Sequence, residues 1–257
     1  AAAKMAADNG QPGKWMFNMQ RPSCNPVLQY CENRDLRKKV YDAYYNRGNT
    51  GNEYDSKEIC RQLVTLRLEK AKLMGYNNYA EMVLEDRMAK TPEAVFELLD
   101  QVWEPAVAKA KEELDDIRAE IRKEGKNFEP AGWDYMYYLD KAKRAKYSVD
   151  EQEIREYMEI NNVMKGVFHV ATQLYGVTFK EITADVPAYE PTAKAYEVID
   201  KDGTVLAIFY SDNYPRESKR AGAWCTSFRG QSYDGEERII PIVVNSTNMT
   251  APTGDAL

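Results

Sequence analysis

The residues best equipped for chemistry lie close together near the end of the chain. Tyr210, Asp212, Tyr214, Arg216, Lys219 and Arg220 fall within eleven positions, and Gly222, Ala223 and Trp224 follow at once. Arginine and lysine pair readily with carboxylates. The charged members can therefore hold their own loop, or stand free and face a ligand. Nucleophile and base chemistry has little else to draw on. The chain has one histidine, His169, in the run GVFHVATQLYG. It shares an apolar helical stretch with Val167, Val170 and Leu174, with no second ligand type four residues on, and it reads as a core or half-buried histidine. The four cysteines, Cys24, Cys31, Cys60 and Cys225, form no C-x-x-C pair. They read as free thiols in a reducing compartment, with a Cys24–Cys31 disulfide as the alternative. Lys141–Lys146 (KAKRAK) is basic enough for a phosphate patch. Its acidic neighbours favour a solvated helix face instead. Asn245-Ser-Thr and Asn248-Met-Thr match the glycosylation acceptor pattern, which a reducing compartment would leave unused.

The elements that must position these residues follow from periodicity and punctuation. Ala195–Asp200 and Thr204–Tyr210 are strand-like runs joined at Asp202-Gly203, a strong hairpin signal. Ile239–Val244 is another strand, which Pro241 would push to an edge or a bulge. Upstream the pattern is helical. Ala1–Lys14 resembles a helix tail ending at Asn9-Gly10, as if cut from something longer. Trp15–Leu28, broken by prolines, reads as extended or irregular. Asn33 or Asp35 caps a helix to about Arg47, with Leu36, Val40, Tyr41 and Tyr44 on one face.

A helix over 56–74 carries the stripe Ile59, Leu63, Leu66, Leu68 and Leu73, and Tyr79–Met88 begins a short one. Thr91-Pro92 opens a helix to about Lys123, with a kink or break expected between Trp103 and Pro105. Trp133–Lys146 has the aromatic face Trp133, Tyr135, Tyr137 and Tyr138. Ser148-x-x-Glu151 is a capping box for a helix to about Glu159, which Asn161-Asn162 ends. Val163–Tyr175 is a further helix closed by Gly176, and Val177–Ile182 a short strand.

The composition supports this reading. Charged residues make up 30% and apolar ones 44%, and the formal net charge is −6. Mild acidity argues against a general nucleic-acid binder. No apolar run reaches the length of a membrane span. The fold expected is mainly α with a small, mostly antiparallel β-sheet near the C-terminus (α+β). A helical segment over 1–176 and a sheet-and-loop segment over 177–257 are either two domains or layers of one.

Taken together, the motifs resemble the zinc oligopeptidases of the thimet oligopeptidase, oligopeptidase A and peptidyl-dipeptidase group. In that family a Y-x-D-x-Y-x-R-x-x-K-R-x-G-A-W stretch precedes a metal-binding His-Glu-x-x-His helix. Here the stretch runs from Tyr210 to Trp224. The run Trp15, Phe17, Gln20, Pro22, Ser23 and the later Asn33, Arg34, Leu36, Arg37, Tyr41, Ala43, Tyr44 also look like the family. So do Leu66–Glu81, Trp133-Asp134 with Tyr137-Tyr138, and Leu174-Tyr175-Gly176. The likeness is in order along essentially the whole chain, and general similarity favours the peptidyl-dipeptidase branch.

The resemblance implies a fragment of a larger, mostly helical, two-lobed metallopeptidase fold with a deep channel. Two histidines and a glutamate there hold a zinc that activates water. With one histidine this chain cannot build that site, so the resemblance implies zinc in the parent enzyme and none in this segment. No catalytic or metal residue is assigned. Gly222, Ala223 and Trp224 are implied to bind substrate, since small residues let a peptide approach and add itself as a strand. The alternative is an ordinary strand with a packed tryptophan. The charged residues from Asp212 to Arg220 then either shape the channel wall or hold the loop.

The expected partners are short peptide substrates and the missing catalytic portion of the parent chain, without nucleic acid or membrane. The expected location is cytoplasmic. A second reading is a non-catalytic peptide-binding or interaction module. A reading frame continuing into His-Glu-x-x-His would favour the enzyme, and a stop codon the module. Either way, apolar surface should be exposed where other parts belong.

Overall fold

The structure, a computed structural model, describes residues 2–148 and 151–251, with backbone alone for Glu151 and Gln152. The chain divides into two compact units, residues 24–148 and residues 1–23 with 149–257.

The first unit is helical. It holds most of α2 (Arg21–Tyr30), then α3 (Arg34–Tyr45), α4 (Lys57–Leu73), α5 (Tyr79–Leu84), α6 (Pro92–Lys123) and α7 (Gly132–Tyr147). Local chemistry starts these helices. Asn33 Oδ1 accepts from the Leu36 amide at 3.0 Å, and Thr91 Oγ1 from that of Ala94 at 3.2 Å. Each satisfies one of the orphan donors of a first turn. α2 corrects the expectation of an irregular segment from Arg21 onward, while residues 15–20 are irregular as read. Pro22 lies in the first turn, where a missing N–H costs nothing. Pro26 gives up one bond, offset by burial of Cys24, Val27 and Leu28. α6 runs through Pro105 as one helix, so of the kink or break expected there the break does not occur. One lost bond does not stop a 32-residue helix.

The core of this unit is where α6 meets α7. Ile117 and Ile121 pack on Tyr137 and Tyr138, with Phe128 and Leu139 at the margin. Glu124 sits beside it. Burial by itself lifts its pKa; hydrogen bonds from Lys126, Lys141 and Tyr138 Oη outweigh that and draw it from 4.5 to about 2. A lowered folded pKa gives stability that is full above the ordinary value and lost as pH falls through the folded one. Thermal melts are therefore expected to hold down to about pH 5 and to drop steeply toward pH 2. Glu124→Gln should flatten that drop. An unchanged acid slope in the variant contradicts the assignment.

Not every apolar face is covered. Ile59, Leu63, Leu66, Leu68 and Leu73 of α4 are exposed, as are Phe96, Leu98, Leu99, Val102 and Trp103 of α6. Periodicity located these stripes correctly, but it carries no information on what lies against them.

The second unit contains α1 (Ala2–Asp8), α8 (Glu151–Glu156), α9 (Ile160–Tyr175) and the strands. Helix α1 ends as read, with Gly10 at φ +72°. In the expected Ser148–Glu151 capping box, the Glu151 side chain lies outside the described residues, and Ser148 itself is the left-handed C-cap of α7. Asn161 and Asn162 do not break a helix. They form the first turn of α9, and both amides donate to the Glu159 carboxylate at 2.9 Å.

The strands are β1 (Thr178–Glu181), β2 (Lys194–Ile199), β3 (Val205–Asp212), β4 (Trp224–Arg229), β5 (Ser232–Asp234), β6 (Glu237–Ile239) and β7 (Ile242–Ser246). Five make one sheet in the order β1-β2-β3-β7-β4, and β5 and β6 pair separately. All pairs are antiparallel except β3 with β7. That parallel pair arises because the chain leaves β3, forms β4 and the β5–β6 hairpin, and then re-enters between β3 and β4. Pro241 does not force β7 to an edge. It does interrupt the strand expected over Ile239–Val244, since Ile239 ends β6 and β7 begins at Ile242; its carbonyl accepts from Ile208 N at 3.0 Å. A proline before a central strand leaves the ladder intact.

Alternation assigns the two faces. On one, Phe168 of α9 stacks on Phe179 at 4.1 Å and meets Tyr196 edge-on at 4.9 Å. On the other, Ile182, Ala195, Tyr210 and Val244 form a buried cluster with Val186, Ile208 and Ile242. The α9 face is thus packed at β1 and β2 and the other face as far as β7, while β4 is exposed beyond Trp224. No helix among the described residues is long and apolar enough to cross a membrane.

Candidate functional site

The site is built from the loop 213–223 and the strand it delivers. At its root is Asp212, the last residue of β3, fully buried. Lys219 Nζ donates to Asp212 Oδ1 and to the Asp212 carbonyl, each at 2.8 Å, and to the Tyr214 carbonyl at 3.0 Å. Arg216 Nη1 meets both carboxylate oxygens at 3.0 and 2.9 Å, and Tyr189 Oη donates to Oδ2 at 3.0 Å. Burial pushes the Asp212 pKa up, but the bonds from Lys219, Arg216 and Tyr189 outweigh it and hold it below the ordinary value. Tyr189 is pushed up, first by burial and then by its bond to Asp212. Arg216 also reaches Glu190 at 3.5 Å. The two readings of this charged run therefore separate. Asp212, Arg216 and Lys219 hold the loop, and Tyr210 Oη is committed to the Pro187 carbonyl at 3.1 Å.

The far end of the loop is held by a different residue. Asn248 Nδ2 donates to the carbonyls of Arg220 and Gly222 at 2.8 and 2.7 Å. Thr247 N donates to the Asp212 carbonyl at 2.9 Å, and Met249 N to that of Asn213 at 2.8 Å. Gly222 has φ +100° and open space where a Cβ would be. The backbone angle, rather than crowding, requires glycine there.

Gly222, Ala223 and Trp224 then lead into β4. Its register on β7 pairs Trp224 with Ser246, Cys225 with Asn245, Thr226 with Val244 and Ser227 with Val243, then Arg229 with Ile242. Phe228 is the extra residue of a bulge. β4 ends the sheet order, so among the described residues its other edge has no strand partner. Trp224 is half-buried, and Cys225–Arg229 are exposed on both faces. Such an edge presents a row of open backbone donors and acceptors.

The remaining candidates are accounted for elsewhere. His169 is exposed on α9, which corrects the expectation of a core or half-buried residue. Phe168, its neighbour, is the side chain that meets the sheet, while Val167, Val170 and Leu174 point to the open side with it. None of the four cysteines is in a disulfide, so the alternative Cys24–Cys31 bridge does not form. In the KAKRAK run, Lys141 pairs with Glu124, Arg144 with Asp140 at 2.8 Å and Lys146 with Asp116 at 3.3 Å. The Asn248 amide is occupied by two carbonyls.

A zinc site of the two-histidine type does not fit this chain. There is one histidine, and among the described residues no three His, Cys, Asp or Glu side chains gather closely enough to hold a metal ion.

Two features carried no local sequence signal. Arg34 and Arg37 converge on Asp134, roughly a hundred positions away, in a buried ion cluster. Tyr189 joins the Asp212 cluster from the loop 183–193.

Comparison with known proteins gives an independent line. The sequence profile of Peptidase family M3 matches residues 27–257. A dipeptidyl carboxypeptidase of Salmonella typhimurium is 34% identical over 252 residues, 98% of this chain and 37% of the relative. An oligopeptidase A of Haemophilus influenzae is 32% identical over 260 residues, 99% of this chain and 38% of the relative. An organellar oligopeptidase A of Arabidopsis thaliana is 34% identical over 250 residues, 95% of this chain and 31% of the relative. The chain spans roughly a third of the length of these curated relatives.

Proposed function

Since the chain belongs to peptidase family M3, we propose that it is a segment of a zinc metallopeptidase that hydrolyses oligopeptides, of the peptidyl-dipeptidase or oligopeptidase kind. In this reading it contributes the helical scaffold and β4, whose free edge takes the substrate as an added strand. Zinc, and the histidines that hold it, belong to residues outside this chain. The relatives named dipeptidyl carboxypeptidase and oligopeptidase A support short peptides as substrates. Four cysteines outside any disulfide support a cytoplasmic setting.

The observation that carries the reading is the edge of β4 that no strand among the described residues pairs, exposed on both faces and entered through Gly222. An extended peptide can satisfy its own amides and carbonyls on such an edge, and each backbone bond adds about 1 kcal/mol net. The loop anchors on Asp212 and Asn248 fix where the strand begins. Gly222, Ala223 and Trp224 are the proposed contact residues, with Trp224 as a half-buried platform at the entry.

Cys225 supplies the test. It is an exposed thiol on β4, and Cys60 is an exposed thiol on α4. Saturating an extended peptide is expected to slow alkylation of Cys225 several-fold and to leave Cys60 unchanged, read by mass spectrometry. Equal rates at both thiols with and without peptide remove the edge as the binding site. The chain alone is expected to show no zinc-dependent hydrolysis of the same peptide.

A further inference from the structure

We propose that Phe228 and Tyr189 form a side-chain subsite beside β4 that selects an apolar or aromatic residue in the bound peptide. The inference rests on the reading of β4 as the peptide-binding edge, and it adds what that edge prefers.

Phe228 is the bulge residue of β4. Bulges at sheet edges re-aim a side chain, and here the ring turns onto the face that carries Tyr210. It meets Tyr189 edge-on with ring centroids 5.4 Å apart, and Tyr210 edge-on at 6.3 Å. Tyr210 is buried, but Phe228 keeps 59% and Tyr189 46% of its surface exposed. Two large aromatic rings thus lie open beside an unpaired strand edge.

Tyr189 is held before any ligand arrives, and Phe228 rests against it and Tyr210. Tyr189 is tied at its hydroxyl to Asp212, and Lys219 fixes Asp212. Tyr210 backs the pair and is tied to the Pro187 carbonyl. Side chains fixed in advance lose little freedom on binding, which is why rigid aromatics serve as anchors.

Charge selection is weak at this place. Arg216 lies 5.8 Å from the Tyr189 ring centroid, but it is engaged by Asp212 and Glu190. Counting Arg216 and Lys219 against Asp212 and Glu190, the cluster is neutral. What remains on offer is apolar ring surface. A peptide strand added to β4 places every second side chain on this face, within cross-strand reach of Phe228. Aromatic and branched side chains gain from such pairing, by about three- to tenfold in affinity for a well-placed pair.

The experiment is a positional scan with the full chain. Labelled N-acetylated octapeptides in a Ser/Thr background carry one Phe or Leu at successive positions, and binding is followed by anisotropy. Wild type is expected to prefer the apolar residue by about three- to tenfold at one position of the scan. Phe228→Ser should erase that preference, read as the ratio of the apolar peptide's affinity to the background peptide's affinity within the same variant. Phe228→Leu should restore part of it. A general loosening of the strand moves both affinities, so the split separates selection from structure. If peptides bind but wild type shows no preference, or Phe228→Ser keeps it, the subsite is overturned and the edge reading survives. If no peptide binds, both fall together.

Discussion

Replacing Asp134 with alanine is expected to destabilise the helical unit by about 3–5 kcal/mol, the usual loss when one partner leaves a buried ion pair. The Asp134 carboxylate is wholly buried and fully engaged. It accepts from Arg34 Nε at 3.0 and 3.1 Å, Arg34 Nη2 at 2.7 Å, Arg37 Nη2 at 2.8 Å and Ala131 N at 3.0 Å. Burial by itself raises its pKa, but the bonds from Arg34, the Ala131 amide and Arg37 outweigh it and hold it below the ordinary value. Arg37 is also buried, 1% exposed, and its other donors go to the carbonyls of Cys31, Glu32 and Trp133. Alanine would leave that guanidinium inside with no countercharge, and would remove the cap at the start of α7. Urea denaturation is the measurement. A shift of the midpoint worth less than about 1 kcal/mol would show that the cluster is not what ties α3 to α7. Asp134→Leu with Arg37→Met removes the two fully buried charges, leaves Arg34, whose side chain is 40% exposed, to turn to water, and is expected to recover much of the loss because no charge stays stranded inside.

That cluster shows where sequence reading reaches and where it stops. Asn33, Thr91-Pro92, Gly176 and Asp202-Gly203 were legible because caps and hairpin turns are decided within a few residues. Gly203 has φ +87° and the Asp202 carboxylate accepts from Thr204 N at 2.8 Å, but the link between β2 and β3 runs over residues 200–204 rather than the two-residue turn expected. The Asn33-Arg34 and Trp133-Asp134 motifs were visible, but their meeting was not, since nothing local encodes a partner a hundred residues away. Prolines misled in the same way. Pro22, Pro26, Pro105 and Pro241 were weighed as breakers, and what each costs depends on whether its N–H was needed. Burial was the least legible quantity. The stripe of α4 and the face of α9 around His169 have helical periodicity, and both lie open. The edge position of β4 was implied by the family resemblance alone; no local signal encodes it, because it depends on β7 returning between β3 and β4.

Lys219→Met is expected to cost the sheet-bearing unit about 3–5 kcal/mol and to abolish peptide protection of Cys225. Methionine keeps most of the volume of lysine, so the change is chiefly one of charge and donors. Lys219 and Asp212 are each 1% exposed in their side chains, 2.8 Å apart. Without the ammonium, Asp212 keeps Arg216 and Tyr189 but loses its buried countercharge, and the carbonyls of Asp212 and Tyr214 lose a donor. The pH dependence identifies the cause. The wild-type Asp212 carboxyl lies below its ordinary value, so the stability it contributes is present at neutral pH and is lost as pH falls through the folded value. The gap between variant and wild type is therefore expected to be widest near neutrality and to narrow in acid. A gap independent of pH would point to packing instead. The functional consequence follows from the loop's two anchors. With Lys219 gone, the loop's tie between Asp212 and the Tyr214 carbonyl is lost, Arg216 is the loop side chain left on the Asp212 carboxylate, and the start of the strand is less firmly fixed even though Asn248 still holds Arg220 and Gly222. Alkylation of Cys225 in the presence of peptide, measured at a temperature where the variant remains folded, should then run at the unprotected rate. Protection retained in full would mean that the edge of β4 is set by its ladder with β7 alone, and that the charged cluster serves stability without serving the site.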